Sequence, residues 1–188
     1  MLAAALREHV PAPGAAVLDV CTGSGMLAVQ AALLGARVNA LLNGVRVRTR
    51  RGSLLSGLGG ERFDTIVSNP PYVPTAGDVL PANGPQRAWD AGRDGRALLD
   101  PLCRQVADHL RPGGSVLLVH SSVCGVQRTL DELAASGLDA AVIARSRGPL
   151  GPLLRERAAD LWATGALPAG SLEDEIVVVR GRRAAGEA

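Results

Sequence analysis

The apolar run AAVLDV (residues 15–20) ends on the glycine-rich turn CTGSG, and MLAVQAALLG follows with helical spacing up to a terminal glycine. Strand, glycine loop and helix in that order leave few folds open to the chain. The pattern then repeats. VRVRT (45–49), RFDTIVSN (62–69), SVLLVHS (115–121), LDAAVIARS (138–146) and DEIVVVRG (174–181) read as strands. DGRALLDPLCRQVADHLRPGG (94–114), VQRTLDELAASG (126–137) and PLLRERAADLWATG (152–165) read as helices with glycine stops. ARV (36–38) begins a further strand. Strands alternating with helices require crossover connections, hence an α/β fold with a mostly parallel sheet covered on both faces. The near-continuous apolar strands agree, because such sheets are buried on both sides. The last two strands are expected to form an antiparallel C-terminal edge.

In this architecture ligands bind beyond the carboxyl ends of the strands. Two unusual stretches fall there. One is CTGSG, where Gly23 and Gly25 let a ligand approach the backbone and the following helix points its N–H groups at it. Gly23-x-Gly25-x-x-Ala28 also fits a dinucleotide fingerprint, a weak signal alone. The other is SNPPYVP (68–74), directly after the apolar FDTIV. Proline has no N–H and stiffens the residue before it, so this stretch cannot continue a sheet. It forms a rigid, carbonyl-rich corner facing the same crevice as the glycine loop. A simple strand-terminating turn is the plainer reading of SNPPYVP, and the glycine loop beside it weighs against that reading.

Composition excludes several classes. The chain has 188 residues, enough for one domain with a real core. With 47 % apolar and 20 % charged residues it is globular rather than disordered. No apolar run approaches the roughly 20 residues of a membrane span, and MLAAALREHV is too short and wrongly flanked for a signal peptide. A cytoplasmic protein is expected. Residues 1–13 read as the remnant of an N-terminal helix and 181–188 as a frayed tail. Cys21, Cys103 and Cys124 have no paired spacing and His9, His109 and His120 are scattered, so neither disulfides nor a metal is expected. His120, ending an apolar run, reads as structural. All 20 basic residues are arginine, which weakens arguments from arginine abundance. RVRTRR (46–51) is a local exception, though its alternation with apolar residues suits a strand with one solvated face.

A nucleoside ligand calls for a carboxylate at the end of the second strand, about 20 residues past the glycine loop. No Asp or Glu lies between Asp19 and Glu61, and GARV runs directly into NALLNG. Either a segment is missing between Val38 and Asn39 or the second strand is truncated. The geometry favours the first, since a right-handed crossover needs a dozen or more residues.

VLDVCTGSG and IVSNPPYVP together resemble class I S-adenosylmethionine-dependent methyltransferases, specifically the HemK-type protein-(glutamine-N5) methyltransferases that modify release factors. The resemblance runs from about residue 15 to 179. It implies a Rossmann-like, seven-stranded sheet with helices on both faces and S-adenosyl-L-methionine as cofactor. Asp19, Cys21, Thr22, Gly23, Gly25, Ser53 and Asn69 would bind that cofactor. Asn69 and Pro70 would hold the acceptor nitrogen, Tyr72 would shape the pocket, and Pro71 and Trp89 would contact substrate. AWDAGRDGRALLDPL (88–102) resembles the stretch after NPPY in the glutamine enzymes and favours a protein substrate such as a release factor. The chain departs from the family in four places. Cys21 replaces a glycine, which is tolerable if its φ is negative. The ribose carboxylate is absent, Ser53 stands where an acidic residue is usual, and little precedes the first strand.

NPPY is shared with adenine-N6 and guanine-N2 nucleic-acid methyltransferases, so a nucleic acid is the alternative substrate. A nicotinamide-dependent oxidoreductase would leave NPPY unexplained, and a non-catalytic binding module would follow if the cofactor carboxylate is truly missing. Asp90, Arg93, Asp94 and Arg96 read equally as a loop ion-pair set or as substrate contacts. Trp162 reads as core.

Overall fold

The computed structural model describes residues 1–9, 15–21, 48 and 52–186. Thr22, Gly23, Gly25, the helix expected after them and the strands expected at 36–38 and 45–49 lie outside the described residues.

The described elements run α1 (Leu2–His9), β1 (Val17–Val20), β2 (Phe63–Ser68), α2 (Leu99–Gln105), β3 (Leu110–Ser121), α3 (Val126–Ala135), β4 (Asp139–Pro149), α4 (Pro152–Glu156), α5 (Ala158–Ala163) and β5 (Glu173–Arg182). Short 3-10 turns cover Pro85–Ala88, Val106–His109 and Ser122–Cys124. The described strands form one mixed sheet in the order β1-β2-β3-β5-β4, so five of the seven expected strands are seen. β1, β2 and β3 are parallel, as their buried apolar faces require. β5 is antiparallel to both neighbours, and it enters the sheet between β3 and β4. The antiparallel strand is therefore interior, and β4 is the edge. Ile176 to Val179 of β5 are all apolar, and Val177, Val178 and Val179 are completely buried, which suits a place between two strands.

Side chains alternate between two cores. One face carries Val67, Leu117, Val119 and Val178 and is covered by Leu2 and Ala5 of α1. The other carries Ile66, Val116, Leu118, Val177 and Val179 against Leu99, Leu102 and Leu133 of α2 and α3. Each such side chain contributes about 1.5–3 kcal/mol on burial.

Three expectations change. RPGG does follow the end of the helical stretch, but it is folded into β3 as a bulge: Phe63 pairs with Leu110 and Thr65 with Ser115. A Cβ on Gly114 would meet the carbonyl oxygens of Arg111, Asp64 and Phe63 at 2.9–3.1 Å, so the bulge needs glycine. The helix expected at 152–165 is two helices broken at Arg157. Residues 181–184 are held rather than frayed. β5 runs to Arg182, Arg183 N–H donates to Gly114 O, its guanidinium donates to Ala107 O and Leu110 O, and Ala184 O accepts from Gly113 N–H.

Candidate functional site

β1 and β2 end side by side, with Val20 paired to Ser68. Ser68 Oγ donates to Val20 O at 2.7 Å and clasps the two tips. Cys21 and Asn69 therefore leave the sheet from adjacent points. Asp19, half-buried, lies on the strand just before Cys21. Cys21 has φ 61, so the condition under which cysteine is readily tolerated there, a negative φ, is not met. A left-handed conformation costs a residue with a Cβ about 1–2 kcal/mol. Burial pushes its thiol pKa up, a hydrogen bond with Ser68 opposes this, and the charge of Asp19 adds to it.

The next residues form the proline corner. Asn69 is exposed at the tip of β2, Pro70 and Pro71 are buried, and Tyr72 is half-buried. Pro70, Pro71 and Pro74 offer no N–H, so the corner is fixed from the side. Val73 N–H donates to Trp89 O (2.8 Å), Ala91 N–H to Val73 O (3.0 Å) and Thr75 N–H to Gly92 O (2.9 Å). Trp89 is half-buried against the core, at the start of that supporting segment. Arg157, at the break between α4 and α5, donates to Pro74 O at 2.6 Å and to Asp90 Oδ1 at 2.9 Å. One guanidinium thus ties both loops together.

The backbone of Tyr72 is held more tightly still. Its carbonyl accepts the Cys124 thiol at 3.1 Å, and burial pushes that thiol's pKa up to about 12, so it stays a donor. Gly95 (φ 71) packs on the same carbonyl; a Cβ there would stand 2.4 Å from Tyr72 O and 2.8 Å from Cys124 Sγ. Burial, then the charges of Asp174 and Cys124, raise the Tyr72 phenol above its ordinary value, so it is neutral at pH 7.

Behind the corner, the charged loop residues are all engaged within the chain. Arg96 is 2 % exposed and its guanidinium donates to Asp100, Cys124 O, Gly125 O and Thr129 Oγ1. Asp94 pairs with Arg128, which also reaches Asp100, and Arg93 pairs with Asp78. Asp90, Arg93, Asp94 and Arg96 form ion pairs, the first of their two readings. His120 is fully buried; its Nδ1 faces Ser121 O at 2.9 Å and Nε2 has no partner among the described residues. Burial lowers its pKa and keeps it neutral. Trp162 packs against the core and donates its indole N–H to Ser171 O. Ser53 is exposed in a turn in which its N–H donates to Ser56 Oγ.

The structure thus brings Asp19, Cys21, Asn69, Pro70, Pro71, Tyr72 and Trp89 to one end of the sheet. Arg157 and Asp174 were missed by sequence reading. Nothing local distinguishes them, because the side chains and carbonyls they bond to lie 52 to 83 residues away. Among the described residues no helix is long and apolar enough to cross a membrane, and no group of three or more His, Cys, Asp or Glu could hold a metal.

Comparison with known proteins points the same way. A Methanocaldococcus jannaschii chain provisionally named a protein N5-glutamine methyltransferase is 29 % identical over 165 residues, covering 79 % of this chain and 83 % of its own. The release factor glutamine methyltransferase of Deinococcus radiodurans is 44 % identical over 123 residues, covering 54 % of this chain. This chain spans 44 % of that relative's length. Among solved structures, the E. cuniculi Mtq2–Trm112 complex, described as responsible for methylation of a translation termination factor, aligns with TM-score 0.62 at 20 % identity, over 97 % of this chain and 93 % of that one. That likeness supports the class I methyltransferase fold, and the relatives' names agree with the HemK-type resemblance. The profile of the methyltransferase small domain matches residues 28–140. On that match, which takes in more than half of the sequence, the chain belongs to the methyltransferase small domain family.

Proposed function

We propose that the protein transfers a methyl group from S-adenosyl-L-methionine to the side-chain amide nitrogen of a glutamine in a protein, with a peptide chain release factor as acceptor, in the cytoplasm. The observation that carries this is the placement of exposed Asn69 at the tip of β2, clasped through Ser68 to the tip of β1. The polar groups at the two tips suit the cofactor: a half-buried carboxylate, Asp19, and the backbone at Cys21 on β1 lie beside Asn69 at the end of β2. Thr22, Gly23, Gly25 and Ser53 complete the proposed cofactor set.

The bound cofactor supplies an already activated methyl group on a sulfonium. The chain's task is placement and charge stabilisation. An amide nitrogen is a poor nucleophile, since its lone pair is delocalised into the carbonyl. The Asn69 side-chain oxygen and the Pro70 carbonyl each accept one N–H of the acceptor –NH₂. Two acceptors fix that group's plane and stabilise the positive charge growing on nitrogen, each contributing about 1–3 kcal/mol. Tyr72, neutral and half-buried, walls the acceptor together with Trp89, and buried Pro71 stiffens the corner from within. No general base is required.

The missing carboxylate bears on affinity. The alignment to the Deinococcus relative runs over 123 positions but takes up only about 102 residues of this chain, 54 % of 188. About 20 positions of that alignment therefore have no counterpart in this chain, which is in keeping with the reading that a segment, and the ribose carboxylate with it, is missing between Val38 and Asn39.

The test is incubation with methyl-labelled S-adenosylmethionine and either purified release factor or DNA and RNA. Label on a glutamine of the release factor is expected. Label in nucleic acid alone would reject this reading in favour of an amino methyltransferase of bases.

A further inference from the structure

Asp174 lies at the start of β5, beside the end of β3. It is 8 % exposed, and its Oδ1 accepts three donors: Ser121 Oγ (2.8 Å), Ser122 Oγ (3.1 Å) and Glu175 N–H (2.7 Å). Oδ2 has no hydrogen-bond partner among the described residues, and no arginine pairs with the group. Its neighbours differ. Glu173 is matched by Arg147 and Glu175 by Arg145, both from β4. Among the described residues Asp174 is held by neutral donors alone.

The turn that holds Asp174 also holds the proline corner. Ser121 and Ser122 bind the carboxylate, and Cys124 of the same turn donates to the Tyr72 carbonyl. Four consecutive residues thus connect the group to the residue proposed to wall the acceptor. A carboxylate with one oxygen saturated and the other unpartnered is an acceptor awaiting a donor.

We infer that Asp174 determines specificity for a polypeptide acceptor: Oδ2 takes an N–H of the substrate chain beside the methylated amide, and its fixed charge repels a phosphodiester. A peptide offers backbone N–H groups at every residue, whereas a nucleic-acid backbone brings negative charge. The inference rests on the proposed function and deepens it by naming what selects the substrate class. Asp174 touches no reacting atom.

The test uses Asp174→Asn in the full chain. Asn keeps an oxygen for the three donors and replaces Oδ2 by an N–H donor, so the fold is expected to survive, as an unchanged melting temperature would show. The KM for release factor should rise about tenfold or more, with kcat within about threefold and cofactor Kd within about twofold. Binding of a labelled single-stranded oligonucleotide, read by anisotropy at low salt, should tighten several-fold whether or not transfer is measured. Ser122→Ala, which removes one donor to Oδ1 without changing charge, should give a smaller rise in KM and no change in oligonucleotide binding. A KM within twofold of wild type together with unchanged oligonucleotide affinity overturns the inference while leaving the proposed function standing. Wild-type transfer to nucleic acid and not to protein overturns both. Should wild type label neither macromolecule, the proposed function alone fails, and the anisotropy comparison still decides whether the charge repels a phosphodiester.

Discussion

The tips of β1 and β2 lie side by side and both end a buried strand, but by opposite means. At β2 the stop is covalent. Pro70, Pro71 and Pro74 lack an N–H, so no conformation of that stretch can extend the ladder. At β1 the stop is conformational. Cys21 turns into the left-handed region, where a residue with a Cβ is strained. The first stop is rigid by itself and needs only lateral bonds to place it; the second depends on its surroundings to hold a costly geometry. This difference suits the two tasks proposed for them, fixing an acceptor nitrogen on one side and shaping a cofactor loop on the other.

The largest effect is expected where the corner meets the helical layer. Gly95→Ala sets a methyl 2.4 Å from Tyr72 O at a left-handed position. Strain and overpacking together should cost about 2–4 kcal/mol, read from denaturant unfolding. An unchanged midpoint would mean the corner yields easily and is not the rigid half. Next comes Arg157→Met, which removes the bonds to Pro74 O and Asp90. With about 1.5–3 kcal/mol at stake for bonds from a charged group, transfer should fall roughly tenfold and acceptor KM should rise, with cofactor affinity unchanged. Equal losses in both affinities would show that the two tips are one unit.

A smaller effect concerns pH. His120 is neutral in the folded protein because burial lowers its pKa below the ordinary 6.5. The unfolded chain then binds the extra proton, so its contribution is complete above about pH 6.5 and stability is lost as pH falls through that value toward the folded pKa. Unfolding titrations of His120→Leu should show a shallower loss between pH 7 and 5. Smallest is Cys21→Gly, which relieves the left-handed strain and should add up to about 1 kcal/mol of stability. A marked loss instead would show that the thiol's packing, not its backbone, holds the β1 tip.

The contrast also explains what could be read in advance. The β2 corner was legible because prolines carry their constraint in the sequence, and the parallel strands because double burial demands apolar runs. The conformation of Cys21 was not legible, since nothing local marks a cysteine for positive φ. The insertion of β5 between β3 and β4 was equally hidden; a hydrophobic run such as IVVV declares a buried strand but not its neighbours. Arg157 and Asp174 act through partners distant in sequence, and in an arginine-rich composition nothing marks Arg157 out from the rest. The tail looked frayed because GRRAAGEA has no apolar pattern, yet Arg183 is pinned by backbone carbonyls, which no pattern of hydrophobicity reports.

The account stands or falls on Asn69, and the most direct measurement is the separation of catalysis from cofactor binding in Asn69→Ala. Transfer to the protein acceptor is predicted to drop about 5- to 150-fold, the equivalent of one lost acceptor of about 1–3 kcal/mol. Calorimetry should give a cofactor Kd within about twofold of wild type. Affinity lost in proportion to activity, or transfer left intact, would contradict the role assigned to this side chain.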